Sequence, residues 1–187
     1  MADKLQLISN ALILIGDVPI NSLEGGGRRE TVARNLYDNI VQNEITKHRW
    51  GFARTITPMQ LSTEQPADPQ GKWRHIHQLP SDLLFLINVE HDNDYQLYGD
   101  KLYSKTSQTL YADYIRNMPE SEWPVYFAKM IEYALAVDFA ASIRDSATAS
   151  QDLVVKYVNQ SRMARYTDSQ QYPTERVVSN PFTDVRY

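Results

Sequence analysis

Ile15-Gly16-Asp17-Val18-Pro19-Ile20-Asn21-Ser22-Leu23-Glu24-Gly25, followed about one helix later by Trp50-Gly51-Phe52-Ala53, decides how this chain is organised. The first segment ends an apolar helix at a glycine, turns through a proline and leads into a second helix. The second closes that helix with a Trp and a Phe and starts a strand. Gly16, Pro19, Leu23, Trp50 and Phe52 are therefore assigned a structural role, as punctuation of the scaffold.

Working outward, Leu5, Ile8, Leu12 and Ile15 fall on one side of a helix, with Leu7, Ala11 and Leu14 widening the face. Asp3 and Gln6 suit a capping box at its start. Arg28 to Arg49 reads as the second helix, because Ala33, Leu36, Tyr37, Ile40, Val41, Glu44, Ile45 and His48 keep the three-four spacing. From Trp50 the period becomes extended. Strands are predicted from Phe52 to Leu61, Trp73 to Leu79, Leu83 to Glu90 and Thr109 to Arg116, with a hairpin over Tyr95 to Tyr103. Pro58 confines its strand to an edge or bulge, and Gly99-Asp100 suits a type II′ turn.

Helix returns after Pro119, and Pro124 suits a first turn. Tyr126 to Arg144 is apolar all round, which predicts burial on most sides or a place between subunits. Thr148 with Gln151 caps a fourth helix carrying Leu153, Val154, Tyr157, Val158 and Ala164. The order is α+β: a helical bundle of two N-terminal and two C-terminal helices (1–50 and 117–168), an inserted antiparallel β region (51–116) and an extended C-terminal tail (169–187).

The chain has 187 residues, 42% hydrophobic and 22% charged, enough for one well-buried core. The apolar run Ala11 to Ile15 is far too short to span a bilayer, and the first residues show no secretory pattern. A soluble protein made in a cell's cytoplasm, without membrane contact, is expected. With no cysteine, disulfides, thiolate nucleophiles and Cys-ligated zinc are excluded. A net charge of −4 argues against a protein that grips phosphate backbones. Twelve tyrosines and three tryptophans favour surfaces buried against partners.

Chemical motifs are weak. Gly25-Gly26-Gly27-Arg28-Arg29-Glu30-Thr31 precedes a helix but lacks the nucleotide-loop frame, and reads as a flexible connection. His75 and His77 share one face of a strand, with Asp82 the nearest third ligand; two histidines alone are a poor metal signal. Asp92-Asn93-Asp94 starts like a calcium loop, but Gln96-Leu97 breaks the frame. No serine elbow is present, and Glu120 and Glu122 flank a helix start. Arg28, Arg29, Arg34, Arg162 and Arg165 are interspersed with acids, as on solvated faces. No catalytic residue, metal or cofactor is expected, and the chain reads as a non-enzyme. Tyr172, Val177, Val178, Phe182, Val185 and Tyr187 make the tail unusually apolar for a free terminus; these, with Arg186, are the candidate residues for contact with a neighbouring subunit or partner.

A set of segments carries a resemblance. It comprises Ala11-Leu12-Ile13-Leu14-Ile15-Gly16 with Pro19, Ile20, Ser22, Leu23 and Glu24, then Ala33 with Leu36-Tyr37-Asp38, and His48-Arg49-Trp50-Gly51-Phe52-Ala53. It continues with Leu79-Pro80-Ser81-Asp82-Leu83-Leu84, Tyr98-Gly99-Asp100-Lys101-Leu102-Tyr103, Tyr114-Ile115 and the helix from Pro124 to Ala141. In this order, from Leu5 to Arg165, the chain resembles the tail tubular protein A, or head-to-tail adaptor (connector), family of short-tailed bacteriophages. Arg49 stands where such proteins commonly carry proline, a departure at a helix end.

The resemblance implies a structural virion protein of the phage neck and tail. Its implied assembly is a dodecameric ring, a homo-oligomer that binds the portal protein above and the tail nozzle protein below. Double-stranded DNA passes through non-specifically during ejection. The bundle and termini would face the portal, and the β side the tail. A mildly acidic chain suits a conduit, because retained phosphate contacts would be friction. A head-to-tail ring also needs two different complementary patches on each subunit, for which the apolar third helix and the tail are the candidates. The competing reading is a small DNA-binding protein using the N-terminal helices, against which the long Gly16 to Gly27 connection and the charge both count.

Overall fold

The computed structural model describes residues 3–68, 71–92, 94–144 and 147–171, with backbone alone for 147–149. Its class is α+β. Helices α1 (Lys4–Leu14) and α2 (Arg28–Thr46) come first, and a 3₁₀ turn at Gly51–Ala53 leads to the strands. These are β1 (Arg54–Pro58), β2 (Gln60–Leu61), β3 (His75–Gln78), β4 (Leu83–Glu90), β5 (Gln96–Tyr98), β6 (Lys101–Ser104) and β7 (Tyr111–Arg116). A second 3₁₀ turn, Glu120–Glu122, precedes α3 (Val125–Ser142) and α4 (Ala147–Ser169). The strands form two antiparallel sheets, ordered β1-β7-β4 and β2-β3-β6-β5. No helix among the described residues is long and apolar enough to cross a membrane.

Helix α1 ends as its glycine requires. Gly16 takes φ +73°, its N–H donates to the Ile13 carbonyl at 2.9 Å, and the Asp17 N–H reaches back to Leu12 at 2.9 Å. This pair of bonds is the Schellman arrangement, which satisfies carbonyls a helix end leaves open. Arg144, beyond α3, donates to the Gly16 carbonyl and closes the corner from outside. Ser9 Oγ then donates to the Ile20 carbonyl at 3.0 Å, binding the returning chain to α1. At the other end the expected capping box does not form. Asp3 has the extended backbone of an N-cap but makes no side-chain cap bond; only its carbonyl accepts, from Leu7 N–H at 2.9 Å.

Helix α3 explains its own composition. Phe127, Met130, Ile131, Leu135 and Phe139 are all fully buried, and Ala128, Ala134, Ala136 and Ala140 are buried between them. It packs on α1, α2 and α4 at once, so apolar groups are needed nearly all round and small ones where helices approach closely. Of the two expectations for this helix, burial within its own chain is what the fold uses. Pro124 sits one place earlier than expected, at the N-cap, where its carbonyl accepts from Phe127 and Ala128, both at 3.0 Å.

Among the strands, the single one expected from Phe52 to Leu61 is broken twice. Phe52 lies in the 3₁₀ turn, and the chain changes sheets at the buried Met59, whose N–H donates to the Leu110 carbonyl at 2.8 Å. Strands that switch sheets make the corners of such packings. Pro58 ends β1, an edge strand, where its missing donor costs least. Gly99, at φ +61°, opens the two-residue turn between Tyr98 and Lys101. Met59, Val89, Leu102, Leu110, Ala112 and Tyr114 form a second, smaller apolar cluster under the strands.

Candidate functional site

Two buried carboxylates hold the last helix to the rest of the chain. Asp168 accepts the Gly51 N–H with both oxygens, at 3.0 and 3.2 Å, and the Tyr126 hydroxyl at 2.8 Å. His48 Nε2 stands 3.9 Å away; burial lowers its pKa, against the pull of Asp168. Glu44 accepts from Tyr157 Oη at 2.6 Å and from Lys47 Nζ at 2.5 Å, while its carbonyl takes the Trp50 indole N–H at 3.1 Å. Burial and Glu44 together push the Tyr157 phenol far above its ordinary pKa, so it keeps its proton and donates it to Glu44. Trp50 completes the corner, edge-on to Phe127 with ring centres 5.0 Å apart, and Phe52 stands 4.9 Å from the same ring. The Trp-Gly-Phe segment is thus a socket for α4, its glycine supplying a backbone donor.

The sequence candidates for chemistry do not converge. His77 is fully buried and its Nε2 lies 3.1 Å from Ser104 Oγ and 3.2 Å from the Thr106 carbonyl. Because the Ser104 hydroxyl already donates to Thr106 at 2.9 Å, the ring nitrogen carries the proton. Burial is the main reason its pKa lies below the ordinary value, followed by the Thr106 carbonyl, which raises it, then His75, which lowers it, and Asp92, which raises it. A serine beside a histidine is a nucleophile's geometry, yet both side chains have zero exposure, so a substrate cannot reach them. Asp82 is elsewhere, accepting from Tyr114 Oη at 2.8 Å. Asn93 lies outside the described residues, and Asp94 accepts from Lys72 at 2.6 Å and Lys105 at 2.5 Å. No group of three or more metal-ligating side chains occurs among the described residues.

The N-terminal arginines are spent on carbonyls. Arg28 donates to Ser142 at 2.7 Å, Arg29 to Val18 at 3.2 Å and Arg34 to Leu23 at 3.1 Å. They stitch the Gly16–Gly27 connection, including Leu23, onto α2 and α3. Glu120 accepts from the Tyr37 hydroxyl at 3.1 Å, and Glu122 pairs with Arg116 at 3.2 Å. Tyr172, Val177, Val178, Phe182, Val185, Arg186 and Tyr187 lie outside the described residues.

What remains is surface. Of the apolar residues that the fourth helix carries, Val154 and Val158 are exposed, with Val155 (62%), Met163 (62%) and Tyr166 (63%). Leu153, Ser161, Ala164 and Asp168 occupy the inward face. Sequence periodicity does not assign these faces, because the helix carries apolar residues on both and the spacing alone names neither as inner. Val125, at the start of α3, is 85% exposed. It flanks a groove of about 260 Å³ between α1 and α3, and Trp123 separates that groove from a larger one of about 490 Å³. The larger groove runs between α2 and the β7–α3 connection, over Val41, Met118 and Trp123, and Asp38 and Glu120 are its only charged lining residues.

No family model matches the chain, and no curated protein matches it.

Proposed function

We propose that this chain is a structural virion protein: a subunit of a head-to-tail adaptor ring that joins the portal to the tail nozzle and surrounds the passing DNA. The reading rests on the sequence resemblance, and the observation that carries it furthest is the outward face of α4. A helix that anchors itself by two buried carboxylates and still leaves Val155, Val158, Met163 and Tyr166 in solvent is suited to a protein partner.

In this reading residues 1–50 and 117–168 act as a helical bundle, 51–116 as an inserted β region, and 169–187 as the tail that grips a neighbour or the portal. The chain performs no turnover and needs no cofactor or metal. Duplex DNA passes without specific grip, which suits a net charge of −4. The alternative of a DNA-binding protein draws no support from the N-terminal helices, because Arg28, Arg29 and Arg34 bond to the chain's own carbonyls.

The test is native mass spectrometry of the full chain, alone and co-expressed with the portal protein of its own genome. A ring-sized complex is expected. A monomer under every condition overturns the proposal.

A further inference from the structure

Lys156, Arg162 and Arg165 are exposed on α4, and none has an acidic partner among the described residues. Arg162 lies between Val158 and Tyr166 on the outward stripe, since positions four apart share a helix face. Lys156 and Arg165, nine residues apart, lie on opposite flanks of this stripe, and the exposed Asp152 shares the face of Tyr166, so Arg162 is the cation set among the exposed apolar groups.

The groove bounded by Tyr37 and Trp123 has the converse properties. Its floor is apolar, through Val41, Met118 and Trp123, its only charged lining residues are Asp38 and Glu120, and its volume is about 490 Å³. Asp38 is held on one side by Lys4 at 2.7 Å, and Glu120 uses only Oε1, toward Tyr37. Glu120 Oε2 is left without a partner among the described residues.

These two surfaces point away from each other. On α2, Gln42 lines the groove whereas Glu44 bonds Tyr157 of α4; two residues of helix separate their directions by about 200°. On α4, Tyr157 points inward and Val155 outward by the same angle of about 200°. One chain therefore cannot bring its outward stripe into its own groove.

We propose that the outward face of α4 docks in the Tyr37–Trp123 groove of a second copy, an inference that rests on the ring reading above. Arg162 supplies the guanidinium that the Asp38 and Glu120 carboxylates accept, and Val158 and Tyr166 cover Met118 and Trp123. The contact joins unlike patches, so it repeats from chain to chain and closes by rotation. Apolar groups around Arg162 favour a protein surface over a phosphate backbone.

The natural absence of cysteine makes the test clean. Gln42→Cys and Asn159→Cys, both at exposed positions, are prepared as single variants and as one double variant. Under mild oxidation, the mixed single variants should give a disulfide-linked dimer that neither gives alone, and the double variant a ladder of higher multimers. Arg162→Glu should abolish the ladder, and adding Asp38→Arg to the same chain should restore it. If the wild-type chain sediments as a multimer but the mixture gives no heterodimer, the assignment of faces is overturned and the ring reading stands. If the wild type stays monomeric, alone and with its portal, and no disulfide forms, both fall.

Discussion

The Asp168 carboxylate chelates the amide of Gly51, a residue 117 positions earlier, with both oxygens at 3.0 and 3.2 Å. The bond joins the last turn of the last helix to the corner where helix gives way to strand. It requires a backbone N–H free of any ladder, which a residue at the first position of a 3₁₀ turn provides.

Removing that carboxylate should be costly. Asp168→Ala removes the acceptor of the part-buried Gly51 amide and the carboxylate that the Tyr126 hydroxyl donates to. Losing hydrogen bonds to a charged acceptor costs about 1.5–3 kcal/mol, so a loss of about 2–3 kcal/mol is expected in urea unfolding. Tyr126→Phe, which removes only a donor, should cost about 1 kcal/mol.

Gly16 provides an independent check on the first corner. Its φ of +73° is strained for any side chain, and a Cβ there would lie 3.2 Å from Arg144 Nη2. Gly16→Ala should destabilise by about 1 kcal/mol or somewhat more, whereas Gly26→Ala, with nothing within 4 Å, should be close to neutral. Thermal melts of the two variants separate these outcomes.

Acid should weaken the fold through its buried histidine. Burial lowers the folded-state pKa of His77, so the unfolded chain takes up a proton first as pH falls through about 6.5. The stability is fully present above that value and declines below it until the folded pKa is passed. His48 acts in the same direction. Urea midpoints measured from pH 7.5 to 5.5 should fall for the wild type and fall less for His77→Gln; identical slopes would remove His77 from the account.

For the C-terminal segment, deletion of Pro173 to Tyr187 should leave the melting temperature unchanged, because α4 is anchored at Glu44 and Asp168, upstream of the cut. Assembly with the portal should weaken. A truncated chain that assembles as well as the full one would refute a role for those residues in the interface.

Local chemistry made much of the architecture readable in advance. Gly16 marks a helix end because it alone tolerates the left-handed backbone there, and Gly99 marks a hairpin for the same reason. Pro58 is confined to an edge because it lacks a donor, whereas the expected alternation of Tyr111 to Arg116 is replaced by burial of Ala112 through Ile115 on both faces of a central strand. The division of the strands between two sheets is not readable, since Met59 belongs to neither and turns the chain through its hydrogen bond to the Leu110 carbonyl and its place in the smaller cluster. Asp168 was likewise read as the end of a helix pattern, because nothing in its neighbours announces a partner at Gly51.

The sequence by itself determined the order and type of the main elements, since these follow from backbone freedom, lost donors and side-chain period, but not the breaks at Phe52 and Met59. Only the tertiary structure decided which face of α4 is inward, that the apolar α3 packs on α1, α2 and α4, and that the N-terminal arginines bond to carbonyls of the chain. Those outcomes depend on tertiary contacts, some between residues more than a hundred positions apart, such as Arg28 with Ser142 and Glu44 with Tyr157, and local spacing carries no record of them.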